Sequence, residues 1–299
     1  MPVIVITGAS SGIGRAAAHA FACKGAALML AARGPGALDR TRRECEELGA
    51  KGVAVAALDL SERDASAKLC ETAVLNFGTL DIWVNNAAAL TLGRFEETPA
   101  KVFERTVETT FLGYVRGARA ALAQFRAQGD RGILINVLSI LGVAAAPTVS
   151  AYVASKFALR GFTSALRQEL RATPGIKICN VLPAAIDTPI YRHAANYRGR
   201  RARSIWPVYD PNRVARAIVR LSEHPRAEVA VGGFAWITCM AAALAPRLLE
   251  ALVARAVPSL QYEDTEALTS DGNLFASAEH DYAVTGGWRA YWRRKLQGR

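Results

Sequence analysis

Three side chains between Ser139 and Lys156 have the types and spacing for proton chemistry. Tyr152 and Lys156 are four residues apart, which on a helix stacks them on one face. A phenol beside an ammonium makes an acid/base couple, because the positive charge favours phenolate and lowers the tyrosine pKa from its ordinary value of about 10. Ser139 stands just beyond the apolar run Ile133 to Val137. Taken alone, Tyr and Lys at this spacing also suit ordinary helix-surface decoration. The weight therefore falls on the elements that must position them.

Those elements alternate. Short apolar runs at Val3–Ile6, Ala27–Ala32, Val53–Leu58, Leu80–Val84, Ile133–Val137, Ile176–Leu182 and Glu228–Val231 read as strands, most of them buried on both faces. Between them lie helical patterns at Arg15–Lys24, Leu38–Leu48, Glu62–Phe77, Ala100–Gln128, Tyr152 to about Arg171, and Pro211–Glu223. Strands alternating with helices predict an α/β fold, a doubly wound parallel sheet of about seven strands with helices on both faces. Ligands of such sheets bind at the carboxyl ends of the strands. The first strand runs into Thr7-Gly-Ala-Ser-Ser-Gly-Ile-Gly14. Glycines between a strand and a helix permit a tight turn and the approach of a phosphate, which the helix N-terminus attracts.

Composition fits a globular chain with a sizeable core: 299 residues, 51% hydrophobic and 21% charged, with net charge +11. Excess basic charge suits nucleic acid, acidic membranes or phosphorylated small molecules, but no nucleic-acid-binding motif accompanies it. Five cysteines without CxxC spacing predict reduced thiols in a cytoplasmic protein, and the dispersed histidines suggest no metal site. Val3–Ile6 is too short for the apolar core of a signal peptide. The charge-free stretch Val229–Pro246 reads as a strand and helix rather than a membrane span. Residues 1–232 form the expected main unit. Residues 233–299 form a C-terminal helical extension, with an amphipathic pattern at Ala241–Val257 and an aromatic, basic end from Trp288 to Lys295. It is expected to pack on the main unit, on a second subunit or on a membrane surface.

Together these motifs resemble the short-chain dehydrogenase/reductase family over about residues 1–232. The resemblance rests on Thr7–Gly14, Asp59, Asn85-Asn86-Ala87-Ala88, Ser139, Tyr152-Val-Ala-Ser-Lys156 and Pro183-Ala-Ala-Ile-Asp-Thr188, in the family's order. It implies a Rossmann fold, a nicotinamide cofactor and interconversion of a ketone or aldehyde with an alcohol. It further implies that Gly8, Ser10, Ser11, Gly12, Ile13 and Gly14 hold the pyrophosphate and adjoining ribose. Asp59 would face the adenine, and Asn86 its ribose. Pro183, Ile186 and Thr188 would lie at the nicotinamide end. Ser139 would hold the substrate oxygen, Tyr152 would exchange the proton, and Lys156 would bind ribose while lowering the tyrosine pKa. A homo-oligomer, dimer or tetramer, is expected on the same ground.

Ala32-Arg33 occupies the place where an acidic residue would bind a ribose 2′-OH. Arg33 therefore predicts NADP(H) over NAD(H), with Arg15 a second candidate for the 2′-phosphate. Three positions depart from the family: Thr110 stands for an asparagine that serves the proton relay behind the lysine, and Ala88 and Ala184 stand for glycines. The segment Ile190–Tyr209, with Arg192, His193, Arg198, Arg200, Arg201 and Arg203, reads as a solvated loop or an anion-recognising lid. Leu90, Leu92, Leu141, Val143, Tyr191 and Trp206 predict a pocket for a small apolar carbonyl compound or alcohol. The competing reading is a non-catalytic NADP(H)-binding sensor or scaffold on the same fold.

Overall fold

The computed structural model describes residues 1–277 and 282–298; residues 278–281 and 299 of the C-terminal extension lie outside the described residues. The chain opens with Val3–Thr7 (β1), Gly12–Ala22 (α1), Ala27–Ala32 (β2), Pro35–Glu47 (α2), Gly52–Ala57 (β3), Ala65–Phe77 (α3) and Ile82–Asn85 (β4). The short strand Thr91–Leu92 (β5) and the helices Ala100–Val107 (α4) and Gly113–Ala127 (α5) follow. Gly132–Val137 (β6), Ser150–Glu169 (α6) and Ile176–Pro183 (β7) carry the chain through its middle. Next come Ile190–His193 (α7), Ala195–Asn196 (β8), Arg200–Ala202 (β9), Pro211–Glu223 (α8) and Glu228–Val231 (β10). The extension adds Gly233–Leu244 (α9), Pro246–Leu260 (α10), Tyr262–Glu266 (β11) and Trp288–Leu296 (α11).

Seven strands form one sheet in the order β10-β7-β6-β4-β1-β2-β3, and every neighbouring pair is parallel. The order reverses between β1 and β4, which opens a crevice at their carboxyl ends. One core layer packs Phe21 of α1, Leu38 of α2 and Val214 and Ile218 of α8 on Ile4, Ile6, Leu28 and Leu30. The other packs Leu69 of α3 and Phe125 of α5 on Val5, Met29, Trp83 and Leu134. Burial on both faces explains why these strands are apolar without alternation.

Ala100–Gln128 is not the single helix that its periodicity predicts. A π-helical turn at Glu108–Leu112 separates α4 from α5. One extra residue in a turn rotates the following helix by about 100°. Ala241–Val257 likewise divides at Ala245–Pro246, because proline starts α10 and cannot continue α9. No helix among the described residues is long and apolar enough to cross a membrane. The extension has two characters: Tyr262, Trp288 and Trp292 are buried on the main unit, whereas Trp236, Ile237, Leu244, Leu248 and Leu252 of α9 and α10 are exposed.

Ile190–Tyr209 is an ordered segment, because the extension holds it. Strand β9 pairs antiparallel with β11. Arg203 is buried and donates to the carbonyls of Leu260 and Ser259, at 2.8 and 3.2 Å, and to the Tyr291 hydroxyl at 3.2 Å. Arg200 pairs with Asp264, and Arg192 donates to the Gly286 carbonyl at 2.7 Å. The arginines that suggested a solvated loop are in large part the ties to the extension.

A buried polar network fixes the strands that bear the site. Trp83 Nε1 donates to Asn85 Oδ1 at 2.7 Å, and Asn85 Nδ2 donates to Asn136 Oδ1 at 2.9 Å, lacing β4 to β6. Gly117 of α5 leaves the room: a Cβ there would lie 2.4 Å from Asn85 Oδ1 and 2.9 Å from Trp83 Nε1. Gly117→Ala is expected to destabilise the protein by about 1–3 kcal/mol, as overpacking of a close-packed interior does. Urea denaturation measures it, and unchanged stability would show that the network yields freely.

Candidate active site

The glycine-rich turn after β1 is held by its neighbours rather than by itself. The Thr7 hydroxyl accepts from the Asn86 and Ala87 amides at 2.9 and 3.1 Å, and Asn86 Nδ2 donates to the carbonyls of Thr7 and Gly8 at 2.9 and 3.2 Å. Gly8 and Gly12 have φ of 64° and 54°, where side chains are disfavoured. Gly14 has no room for one, since a Cβ would lie 2.2 Å from the Gly8 carbonyl oxygen. Helix α1 begins without a side-chain cap and without an acidic residue in its first turn. That is the arrangement of a helix terminus suited to an anion.

A cavity runs along the carboxyl ends of the strands from this turn. Gly8, Ser10, Ser11, Gly12 and Ile13 line it together with Arg33, Asp59 and Asn86 at one side and Tyr152, Lys156 and Thr188 at the other. Gly14, Ser139, Pro183 and Ile186 are not on its wall. Pro183 pairs with Val231 in the sheet, and Ile186 packs in the core with it. Asn273, Ser277 and Tyr282 of the extension complete the wall, a contribution for which the polar tail sequence gave no periodic or motif signal.

Several charged groups are already engaged. Arg33 donates from Nη1 to the Leu274 carbonyl at 2.9 Å and from Nη2 to that of Asn273 at 2.5 Å. Arg15 does not face the ribose end as a free cation: it pairs with Glu44 and donates to the Tyr282 carbonyl. The Asp59 carboxylate accepts from the Ser61 amide and hydroxyl, at 3.0 and 2.7 Å, and pairs with Arg105. Burial works to raise its pKa, but these partners hold it below the ordinary value.

Ser139 follows β6 and starts a short 3₁₀ turn, its hydroxyl accepting from the Leu141 amide at 3.1 Å. Tyr152 and Lys156 lie in the first two turns of α6. The helix comes close to that 3₁₀ turn, where a Cβ on Gly142 would lie 2.8 Å from the Lys156 carbonyl oxygen. Lys156 Nζ is buried, donating to the Val137 carbonyl at 2.9 Å and to the Tyr114 hydroxyl at 3.3 Å, and it lies 5.4 Å from the Tyr152 ring centre. Ser139 lies close enough to the Tyr152 phenol for its hydroxyl to bear on that group's titration.

Burial dominates the electrostatics of this cluster. Burial raises the Tyr152 phenol well above its ordinary pKa; the neighbouring Tyr191 adds to the rise, and the Ser139 hydroxyl opposes it. Burial also lowers Lys156 to about 7. An amine so easily neutralised gives only part of the positive field that the sequence reading assigned to it.

Tyr114 is the residue that sequence reasoning missed. Its hydroxyl donates to the Val137 carbonyl at 3.0 Å and accepts from Lys156. Thr110 is turned elsewhere, accepting from the Ala89 amide at 3.0 Å and donating to the Ala89 carbonyl at 3.2 Å. Neither Ala88 nor Ala184 has positive φ; among the described residues only Asp130 and Thr148 do so without being glycine. Tyr152 packs in an apolar cluster with Leu90, Leu92, Val149, Ala194 and Tyr262, with Leu141 and Tyr191 against it; of these only Leu90 is on the cavity wall beside Tyr152. Trp206 is exposed, and Val143 packs instead with Tyr114 and Leu138.

The sheet order, the uncapped helix above the glycine-rich turn and the Ser/Tyr/Lys cluster beside it define a Rossmann-type oxidoreductase class. Residues 2–198 match the family model described as short chain dehydrogenase, and the chain belongs to the short-chain dehydrogenase/reductase family of nicotinamide-dependent oxidoreductases. It is 35% identical over 302 residues to the uncharacterised oxidoreductase YxnA of Bacillus subtilis, spanning 98% of this chain and 84% of the relative. It is 38% identical over 238 residues to the putative oxidoreductase SadH of Mycobacterium tuberculosis, spanning 77% and 86%. An alcohol dehydrogenase from the archaeon Thermococcus sibiricus, solved with 5-hydroxy-NADP, superposes with TM-score 0.67 at 28% identity, over 77% of this chain and 96% of that one. A short-chain dehydrogenase from Streptomyces avermitilis gives TM-score 0.71 at 26% identity, over 83% and 95%.

A lysine whose folded pKa lies near 7 rather than 10.5 binds fewer protons when folded than when unfolded across that interval. Its contribution therefore makes stability rise with pH between about 7.5 and about 9.5. Urea denaturation of the cofactor-free protein at those two values measures the rise, and Lys156→Met should abolish this component. Tyr114→Phe removes an acceptor of the ammonium, so the Lys156 midpoint should fall further. An unchanged midpoint in ¹³C NMR of labelled lysine would show that the hydroxyl does not hold the amine.

Proposed function

We propose that the protein interconverts a small apolar ketone or aldehyde with the corresponding alcohol, using NADP(H). The observation that carries this reading is the meeting of two groups at one cavity. Tyr152, its ring centre 5.4 Å from Lys156 Nζ, stands on the same wall as the glycine-rich turn. The residues suit a dinucleotide: glycines close the cradle where a Cβ would fill it, and the helix terminus above it suits phosphate.

When bound, the nicotinamide cofactor supplies or accepts the hydride. The chain's part is to manage the oxygen. Tyr152 and Ser139 are assigned as the donors that meet the negative charge growing on the substrate oxygen during reduction. Tyr152 then gives the proton, and in oxidation takes it back. Lys156, held by Val137 and Tyr114, places its amine beneath the Tyr152 ring, where its charged form counters the effect of burial on the phenol. Gly8, Ser10, Ser11, Gly12, Ile13 and Gly14 are assigned to the pyrophosphate side, Asp59 and Asn86 to the adenosine side, and Pro183, Ile186 and Thr188 to the nicotinamide side. Residues 1–232 are assigned the chemistry, and of residues 233–299 Asn273, Ser277 and Tyr282 contribute to the cavity wall.

Arg33 supports NADP(H) over NAD(H): it lines the cavity at the end of β2, and no carboxylate stands at Ala32 or Gly34 to receive a ribose 2′-OH. The archaeal neighbour solved with an NADP derivative points the same way. The engagement of Thr110 with Ala89 favours a second reading, a non-catalytic NADP(H)-binding protein. Turnover of NADPH with any member of a broad ketone panel excludes it.

Tyr152→Phe is expected to keep cofactor affinity while turnover falls by about 10²- to 10⁴-fold, the usual range for general-acid catalysis. Undiminished turnover would remove Tyr152 from the reaction. In separate titrations, NADPH should bind more tightly than NADH, and Arg33→Asp should weaken NADPH by about tenfold or more without a matching loss for NADH. Tighter binding of NADH by the parent protein would refute the cofactor assignment.

A further inference from the structure

We propose that the C-terminal extension completes the cofactor site, with the hydroxyls of Tyr282 and Ser277 joining Arg33 as donors to the adenosine 2′-phosphate. The proposal rests on the reading of Arg33 as the 2′-phosphate residue and extends it to a segment outside the main unit. Position is the first argument. A Cβ on Gly34 would lie 2.9 Å from the Tyr282 hydroxyl and 3.7 Å from Ser277 Cβ, so both side chains stand over the Arg33–Gly34 step at the end of β2. That step is where a sheet of this order meets the ribose 2′ position. Both residues share a cavity wall with Arg33 and Asp59.

The second argument is that this segment is tied down on either side of the two hydroxyls. Before them, the Asn273 and Leu274 carbonyls receive the Arg33 guanidinium. Each terminal nitrogen of that group has a second N–H, which leaves donors for a phosphate. After them, the Tyr282 carbonyl accepts from Arg15, and the Ala283 carbonyl accepts from the Gly12 amide at 3.1 Å. Farther on, Trp288 donates from its amide to Asp187 Oδ1 at 2.7 Å and from Nε1 to the Thr188 carbonyl at 3.0 Å. The described residues at 273–274, 282–283 and 288 thus meet, in turn, the end of β2, the glycine-rich turn and Thr188, the stations expected of the dinucleotide.

Chemistry supplies the third argument. A phosphate dianion is best met by a guanidinium together with neutral donors, which add hydrogen bonds without like-charge repulsion. A phenol and a serine hydroxyl above Arg33 are such donors. They complete a pocket that the main unit leaves with one cation.

Adenosine 2′,5′-bisphosphate and ADP separate the possibilities, because only the first carries the 2′-phosphate. Isothermal titration of the full-length parent, Tyr282→Phe, Ser277→Ala and the double variant should show tighter binding of the bisphosphate by the parent. Each single variant should weaken it by about tenfold, and the double variant by more, with ADP affinity held. A parent that does not favour the bisphosphate would remove the NADP(H) reading, and the proposal with it. A parent that favours it, with a double variant that binds it equally well, would overturn the proposal while leaving Arg33 in place. Equal losses for both nucleotides would also overturn it, showing that the hydroxyls hold the adenosine rather than the phosphate. Tm values within a few degrees of the parent exclude global unfolding as the cause of a loss.

Discussion

A lysine amine buried with two oxygen partners is the constraint on which the arrangement depends. Lys156 donates to Val137 and Tyr114, and at neutral pH its charge is poised because burial disfavours it. Each partner requires an unusual local structure. Val137 is available because α6 approaches the end of β6 closely, over a glycine at 142. Tyr114 follows a π-helical turn, and such turns concentrate at functional sites because they re-aim a helix face without ending the helix. The network of Trp83, Asn85 and Asn136 then holds the two strands that carry Asn86 and Ser139 in register. The site is built on helices and strands, and its groups are fixed by packing together with these hydrogen bonds.

The extension touches the cavity wall and the cluster packed behind Tyr152. Behind Tyr152, Tyr262 joins the apolar cluster that packs against it, and β11 pairs with β9. On the cofactor side, Asn273, Ser277 and Tyr282 face Arg33. YxnA of Bacillus subtilis aligns over 98% of this chain, so the extension falls within that similarity, whereas the SadH alignment spans 77%. The exposed apolar side chains of α9 and α10 distinguish that pair of helices from the rest of the extension, which is anchored by buried tryptophans.

What was legible in the sequence follows from where information is local. The seven sheet strands stood out because burial on both faces demands apolar runs; Ala27–Ala32 and Glu228–Val231 match to the residue. The motifs were legible because steric needs leave signatures, as Gly14 does against the Gly8 carbonyl. The π turn was not legible: one added residue changes the face of α5 without altering its composition. Nor was the strand Tyr262–Glu266, whose residues are almost all polar and whose partner lies some sixty positions earlier. Arg33 was placed correctly on the cavity wall, but its carbonyl partners at 273 and 274 belong to a stretch without pattern. The rise that burial imposes on the Tyr152 phenol was not legible for a related reason, since burial depends on the whole fold while the Tyr/Lys spacing is local.

Thr148 adopts φ of 63°, a conformation that a β-branched residue enters only under compulsion. Its carbonyl accepts from Gly93 at 2.9 Å, and its hydroxyl is bonded to that of Tyr262 at 2.8 Å. The extension therefore helps to hold a backbone turn that the main unit would otherwise give to glycine or asparagine. Without that contact the threonine would keep the cost of a left-handed backbone and lose a hydrogen bond that accompanies it.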